Sequence, residues 1–466
     1  MSKMNLLLKK YSDILQQPIN QIYQELKAVN REVFADNERI VFIDDVADCT
    51  KKTHMVEYIE QILKHLDVDK FFVQIVNGGS KEIQNPTNYA IPDTICMTPW
   101  LSLEVDVDSK LHRCCLWDRK DGTTSDSIVE YFESSEQQKL KQDFLNGKKP
   151  SACYKCWQVE SAGGTSKRLT DNYVFRDHKF DIDYNNTVSS RIVNLDIKLG
   201  NKCNLACRIC SSRCSSMWSR YDDAVNVEFN WLDNESSNFW SDIINISEDV
   251  KYITFAGGEP LLDKTHKKLL QYFIDKNLSK DIVLHYNTNG TVFADFLFGY
   301  WDQFKTVELS FSIDNIGKQF EYERYGILWD TVNNNISKYA SNSAYILNLY
   351  STVNALNLAN SYNIYKYAKD LNIDITFQPL ESPKFLSICN LPKSVKYSIR
   401  DKLLQVDDKD FLKKIQPFIL IMIQTEDKPT DIVESLGMQD KLRNQKFSDY
   451  YPELFELIDQ ETSKCP

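Results

Sequence analysis

Ile192-Val-Asn-Leu-Asp-Ile-Lys-Leu199 leads, after a short turn, into Cys203-Asn-Leu-Ala-Cys207-Arg-Ile-Cys210. The first stretch alternates apolar and polar residues with the period of a β-strand. The second packs three cysteines into one tight loop at the strand's end. A [4Fe–4S] cluster usually takes four thiolates, so three in one loop leave one iron without a protein ligand.

Around this unit, from Ile192 to about Pro383, strands alternate with helices as in parallel βα folds. The sequence predicts strands at 192–199, 251–256, 282–287, 306–313, 346–353 and 373–379, with helices between most of them, as at 264–276 and 362–371. In 306–313, Val307, Leu309, Phe311 and Ile313 share one face, while Glu308, Ser310 and Ser312 share the other, which Asp314 continues. Helices cover the outside of such a fold, so the apolar face points outward and the polar set lines the interior. The same reading puts Asn194, Asp196, Lys198, Asn348, Tyr350, Thr352, Asn354, Thr376 and Gln378 inside. The expected fold class is α/β, a partial (β/α)6 TIM-like barrel. Its interior is polar, where an eight-stranded barrel is filled by branched apolar side chains.

The C-x3-C-x2-C triplet at 203–210 resembles the radical S-adenosylmethionine (SAM) superfamily, and further motifs follow in that family's order. Gly257-Gly258-Glu259-Pro260 is similar to the loop that hydrogen-bonds the SAM amino group. Asn287-Thr288-Asn289-Gly290 is similar to the Thr-Asn-Gly turn, and Ser310-Phe-Ser312-Ile-Asp314 to the fourth strand. Arg324 follows Ser312 by twelve residues, a spacing at which SPASM-type members contact the SAM carboxylate. One departure is Ile209, where the family usually has an aromatic residue. The resemblance covers roughly 190–385. It implies that Cys203, Cys207 and Cys210 hold a [4Fe–4S] cluster whose open iron chelates SAM. It implies SAM contacts at Gly257, Gly258, Glu259, Asn287, Ser310, Ser312, Arg324 and Asn354. It also implies reductive cleavage of SAM to a 5′-deoxyadenosyl radical that takes hydrogen from a substrate.

Cys96-Met-Thr-Pro-Trp, Cys114-Cys115 and Cys153-Tyr-Lys-Cys156-Trp form a second cysteine group. It is similar to a SPASM or twitch domain, which carries an auxiliary [4Fe–4S] or [2Fe–2S] cluster. The resemblance implies Cys96, Cys153 and Cys156 as ligands, with Cys114, favoured, or Cys115 as the fourth. A zinc site built from the same thiolates is the alternative. Here the group precedes the core, whereas the family usually has it after, and Ser109 or a neighbour replaces a Gly before the cysteine pair. Cys214 reads as a bystander. Cys389 and Tyr350 are candidate reacting residues, although a buried inert thiol is the plainer reading of Cys389.

The domains expected are 1–90 (a small α/β unit with strands at 39–44 and 71–76 and a helix near 55–66), 93–188 (auxiliary cluster), 190–390 (core) and 391–466 (helical extension). Across its 466 residues the chain is 42% hydrophobic and 26% charged, with twelve cysteines and a net charge of −11. The charge speaks against a broad nucleic-acid footprint. No apolar run approaches the roughly 18–20 residues of a membrane span, and the N-terminus has too short an apolar stretch for a secretory signal. A cytoplasmic location is expected, as is an electron donor such as flavodoxin or ferredoxin. The substrate expected from the SPASM resemblance is a peptide or protein side chain. A small polar metabolite, such as a sugar or nucleotide, is the second reading, and a non-catalytic iron–sulfur carrier or sensor the third.

Overall fold

The structure is a computed structural model that describes residues 39–44, 71–76, 92–117, 127–182, 191–221, 232, 238–380, 382–425 and 432–462. Two compact units divide the chain, Met1–Ile91 and Pro92–Pro466. In the first, β1 (Arg39–Asp44) and β2 (Phe71–Val76) pair in parallel. The helix expected near 55–66 lies outside the described residues.

The second unit is built on one eight-stranded sheet. Six of its strands fall where the alternation put them: β5 (Asn194–Lys198), β6 (Tyr252–Ala256), β7 (Val283–Thr288), β8 (Thr306–Ser312), β9 (Tyr345–Val353) and β10 (Asp374–Pro379). They pair in parallel in chain order. The other two come from the cysteine-rich segment. β3 (Ser102–Val105) pairs in parallel with β5, and β4 (Leu111–His112) closes an antiparallel hairpin onto β3. The sequence signal for β3 is plain once seen: Leu101, Leu103, Val105 and Val107 alternate with Ser102, Glu104, Asp106 and Asp108. The sheet order is therefore β10-β9-β8-β7-β6-β5-β3-β4.

The two faces of the sheet divide as the alternation requires. Leu103, Leu195, Ile197, Ile253, Phe255, Leu284, Leu309 and Phe311 are buried in one apolar core. That core also takes Ile128 and Phe132 of helix Ile128–Glu133, Phe273 of helix Lys267–Asp275 and Phe411 of helix Lys409–Gln424. Segment 92–182, the six core strands and the C-terminal helices thus share a single hydrophobic interior. On the opposite face, register places Glu104, Asp196, Thr254, His285 and Glu308 in one row across β3 and β5–β8. Ser312, Tyr350 and Thr376 form another row nearer the strands' C-terminal ends.

The β3–β4 turn closes through Ser109 N–H to the Asp106 carbonyl at 2.9 Å and Asp106 N–H to the Lys110 carbonyl at 2.8 Å. Ser109 sits at φ 64°, in the left-handed region that favours glycine. Ser109→Gly is expected to stabilise the chain by about 0.5–1 kcal/mol, measured as a raised denaturation midpoint with unchanged slope.

Candidate functional site

The cysteine loop leaves the C-terminal end of β5 and is fixed from three sides. Gly258 N–H donates to the Gly200 carbonyl and Glu259 N–H to the Lys202 carbonyl, both at 2.8 Å. This contact leaves no room for side chains: a Cβ on Gly257 would meet the Gly200 oxygen at 2.5 Å, and one on Gly258 the Lys202 oxygen at 2.2 Å. Gly257 also holds φ at 114°. On the second side, Asn289 Nδ2 reaches Asn204 Oδ1 at 3.1 Å and Cys203 Sγ at 3.8 Å. On the third, Ala206 N–H donates to the Tyr325 carbonyl and Arg208 N–H to the Glu323 carbonyl, both at 2.8 Å.

Glu259 is buried beneath this junction. Its carboxylate accepts from Thr288 Oγ1 at 2.7 Å, Asn289 N–H at 2.6 Å and Leu261 N–H at 3.0 Å. Burial pushes its pKa up to about 7, while the hydrogen bonds from Asn289, Thr288 and Leu261 pull it back. The resemblance implied a SAM contact at Glu259; in the structure its carboxylate joins the loops after β6 and β7. Arg324 is likewise engaged. Its Nη2 pairs with Asp314 at 2.7 Å, and Nη1 lies 3.9 Å from Cys207 Sγ. Its Nε is buried without a hydrogen-bond partner.

The three thiols share one electrostatic environment. Burial and neighbouring Cys207 push Cys203 up to about 12. A hydrogen bond with Cys214, then burial, raises Cys210. Cys214 is therefore in contact with the loop. A metal centre here must displace these protons. The donor set suits one, since Leu205 N–H at 3.5 Å, Asn289 and Arg324 already point N–H groups at sulfur.

Of the other expected SAM contacts, Ser310 Oγ lies 2.9 Å from His285 Nε2. Asn287 pairs in register with Ser310, and Ser312 with Tyr350. Asn354 is buried and bonded to Glu323, the Thr352 carbonyl and Leu356 N–H. Cys389 packs half-buried against the apolar core.

Cys96, Cys114, Cys153 and Cys156 line one pocket with Trp117, Phe144, Lys167, Arg168 and Asp171. Cys115 is not in that lining. After burial, its surroundings are Lys167, Asp196, Glu104 and Lys198, on the polar face of the sheet. Both cysteines feel Lys167 and Glu104, but only Cys114 lines the pocket. No three His, Cys, Asp or Glu side chains among the described residues converge on a single-ion site. A four-iron cluster is wider than one ion, and four thiols lining one pocket have the right chemistry for it.

Helix Lys167–Val174 brings Lys167 to the polar face. Lys167 pairs with Asp171 at 2.8 Å. Its ammonium is close enough to influence Asp196 on β5, His285 on β7 and Tyr350 on β9. Burial, then Lys167, drives His285 down to about 4, leaving it neutral. Deeper in, Asp106 gathers Arg213 at 2.7 Å, Lys198 at 3.3 Å and His112 at 3.7 Å. Lys198 also pairs with Glu104. Arg213 belongs to the stretch just after the cysteine triplet, so this cluster ties the two cysteine groups together. Sequence reasoning missed it because it assigned no strand to 102–105.

No family model matches the chain, and no curated protein matches it. Solved structures do. A structure described as native anSMEcpe with bound AdoMet is 17% identical with a TM-score of 0.33, covering 55% of this chain and 68% of that one. SuiB of Streptococcus suis bound to S-adenosylmethionine is 11% identical at 0.32, covering 47% and 44%. SuiB bound to the precursor peptide SuiA is 10% identical at 0.33, covering 62% and 68%. At these scores the three likenesses carry no argument about its family, role or substrate. No helix among the described residues is long and apolar enough to cross a membrane.

Two outcomes are expected. Glu259→Ala removes one carboxylate from three hydrogen bonds and should cost at least about 3 kcal/mol in iron-free protein. A variant of unchanged stability that has lost SAM affinity would instead make Glu259 a ligand. Burial, then Glu104, pushes Asp196 up to about 6, against Lys167 and Lys198. A raised pKa gives stability that is full below the usual carboxylate value of about 3.9 and is lost as pH rises through 6. The melting temperature of Asp196→Asn should therefore gain on wild type between pH 4 and 7.

Proposed function

We propose that this chain is a cytoplasmic radical SAM enzyme that modifies a peptide or protein side chain, taking electrons from a flavodoxin- or ferredoxin-like donor. The observation that carries the reading is the clasp around the cysteine triplet. The loops after β6 and β7 and the segment 323–325 all bond to the 200–208 stretch, in the order that the sequence motifs run.

Cys203, Cys207 and Cys210 would hold a [4Fe–4S] cluster. The backbone of Gly257–Glu259, with Asn287, Ser310, Ser312, Arg324 and Asn354, would surround the methionine end of SAM. When bound, the pair supplies an organic radical able to abstract hydrogen. This chain's own part is to hold and exclude. The sheet's polar face, where Lys167 acts on Asp196, neutral His285, Tyr350 and Cys115, would receive a polar substrate. Cys96, Cys114, Cys153 and Cys156 would hold an auxiliary cluster beside it. The partial barrel, with the cysteine-rich segment as a twitch-like addition at 93–188, is the architecture this reading requires.

The test is anaerobic reconstitution. Two four-iron clusters give about eight irons per chain. Substituting Ala at Cys203, Cys207 and Cys210 together should remove about half the iron and abolish release of 5′-deoxyadenosine from SAM. Iron content unmoved by that change would sink the core assignment. Cys114→Ala should lose auxiliary iron while Cys115→Ala keeps it and still cleaves SAM. The reverse result would exchange the two cysteines. Mass spectrometry of candidate peptides against sugars and nucleotides then separates peptide from metabolite substrates.

A further inference from the structure

The helical extension after residue 391 has no part in the reading so far, yet it grips the cysteine loop on both sides of Cys207. Arg208 is fully buried, 3.5 Å above the Tyr322 ring. It donates to Asp440 at 2.6 Å, Gln445 at 2.9 Å and Gln439 at 3.2 Å. From helix Ile432–Arg443, Arg443 Nη2 donates 2.8 Å to the Ala206 carbonyl. Its guanidinium stands over the rings of Trp218, Tyr325 and Tyr221 at 4.8, 5.2 and 5.6 Å. Trp218 itself donates 2.8 Å to the Cys207 carbonyl.

The two arginines differ in one respect. Arg208 has the Asp440 carboxylate. Arg443 is 5% exposed, its Nε has no hydrogen-bond partner, and no carboxylate pairs with it among the described residues. Burial and neighbouring Arg208 lower its pKa to about 10, and the group that favours its charge first is Cys207. A buried cation without an anion is costly. The aromatic rings offset part of that cost, and the hydrogen bond to the Ala206 carbonyl sets the remaining charge one residue from Cys207.

We propose that Arg443, beside Arg324, is a counter-charge of the cluster held by Cys203, Cys207 and Cys210, so that the C-terminal helix is a working part of that centre. The inference rests on the cluster reading above. A cation beside the cluster stabilises its reduced, more negative form and raises its reduction potential. Arg443 is a positioning residue in this role, acting on the cluster through space and on the loop through the Ala206 carbonyl.

The experiment is a redox titration of the full-length, anaerobically reconstituted chain, following the electron paramagnetic resonance signal that SAM perturbs. Arg443→Gln keeps a donor for Ala206 and loses the charge, so its midpoint should move to more negative potential. Arg443→Lys should stay near wild type. Melting of the iron-free proteins runs alongside. In the absence of a cluster the charge is a burden, so iron-free Arg443→Gln should melt no lower than wild type. A folded Gln variant with an unshifted midpoint overturns the inference. An iron-free Gln variant that melts well below wild type does so too, since a residue kept for packing alone would behave that way. Wild-type protein lacking any reducible centre dependent on the three cysteines overturns both readings, whereas an unshifted midpoint overturns only this one.

Discussion

One buried carboxylate sets the geometry of the whole upper end of the sheet. Glu259 binds the hydroxyl of Thr288 and the N–H groups of Asn289 and Leu261, while its own N–H reaches the Lys202 carbonyl. Three loops that leave three neighbouring strands are thereby held at fixed spacing. The close approach of Gly257 and Gly258 to the 200–202 backbone follows from the same anchor. Without it, each loop would have to find its own partners for buried polar groups that are costly to leave unmatched.

Around that anchor the thiols are arranged by charge. Cys207 feels the charges of both Arg324 and Arg443. Of the adjacent Cys114 and Cys115, only Cys114 lines the four-thiol pocket. Lys167 serves both, since it lines the pocket and acts on Cys115. A change at this one side chain would be felt by thiols on one side and by Asp196, His285 and Tyr350 on the other.

The six core strands were legible because period-two alternation and the turns that end it are local signals. β3 carries the same alternation but was passed over, since what makes it a strand of this sheet is a partner far away: Asn194 Nδ2 bonds Ser102 Oγ across 92 positions. Glu259 was legible as a residue that matters, but its hydrogen bonds to Thr288 and Asn289 were not, because those donors lie about 30 positions on. Arg443 gave no signal at all. A lone arginine late in a helical tail reads as solvated surface until the fold brings it to Ala206.

The place of β3 also bears on the order in which the molecule can be made. A ribosome delivers Cys96, Cys114, Cys153 and Cys156 before β5 exists, and β3 has no parallel neighbour until β5 emerges. Such distant pairings form late and leave a strand edge open meanwhile. The pocket's whole lining, Cys96 to Asp171, is in the chain before β5, whereas Cys115 meets Asp196 and Lys198 only once β5 has emerged.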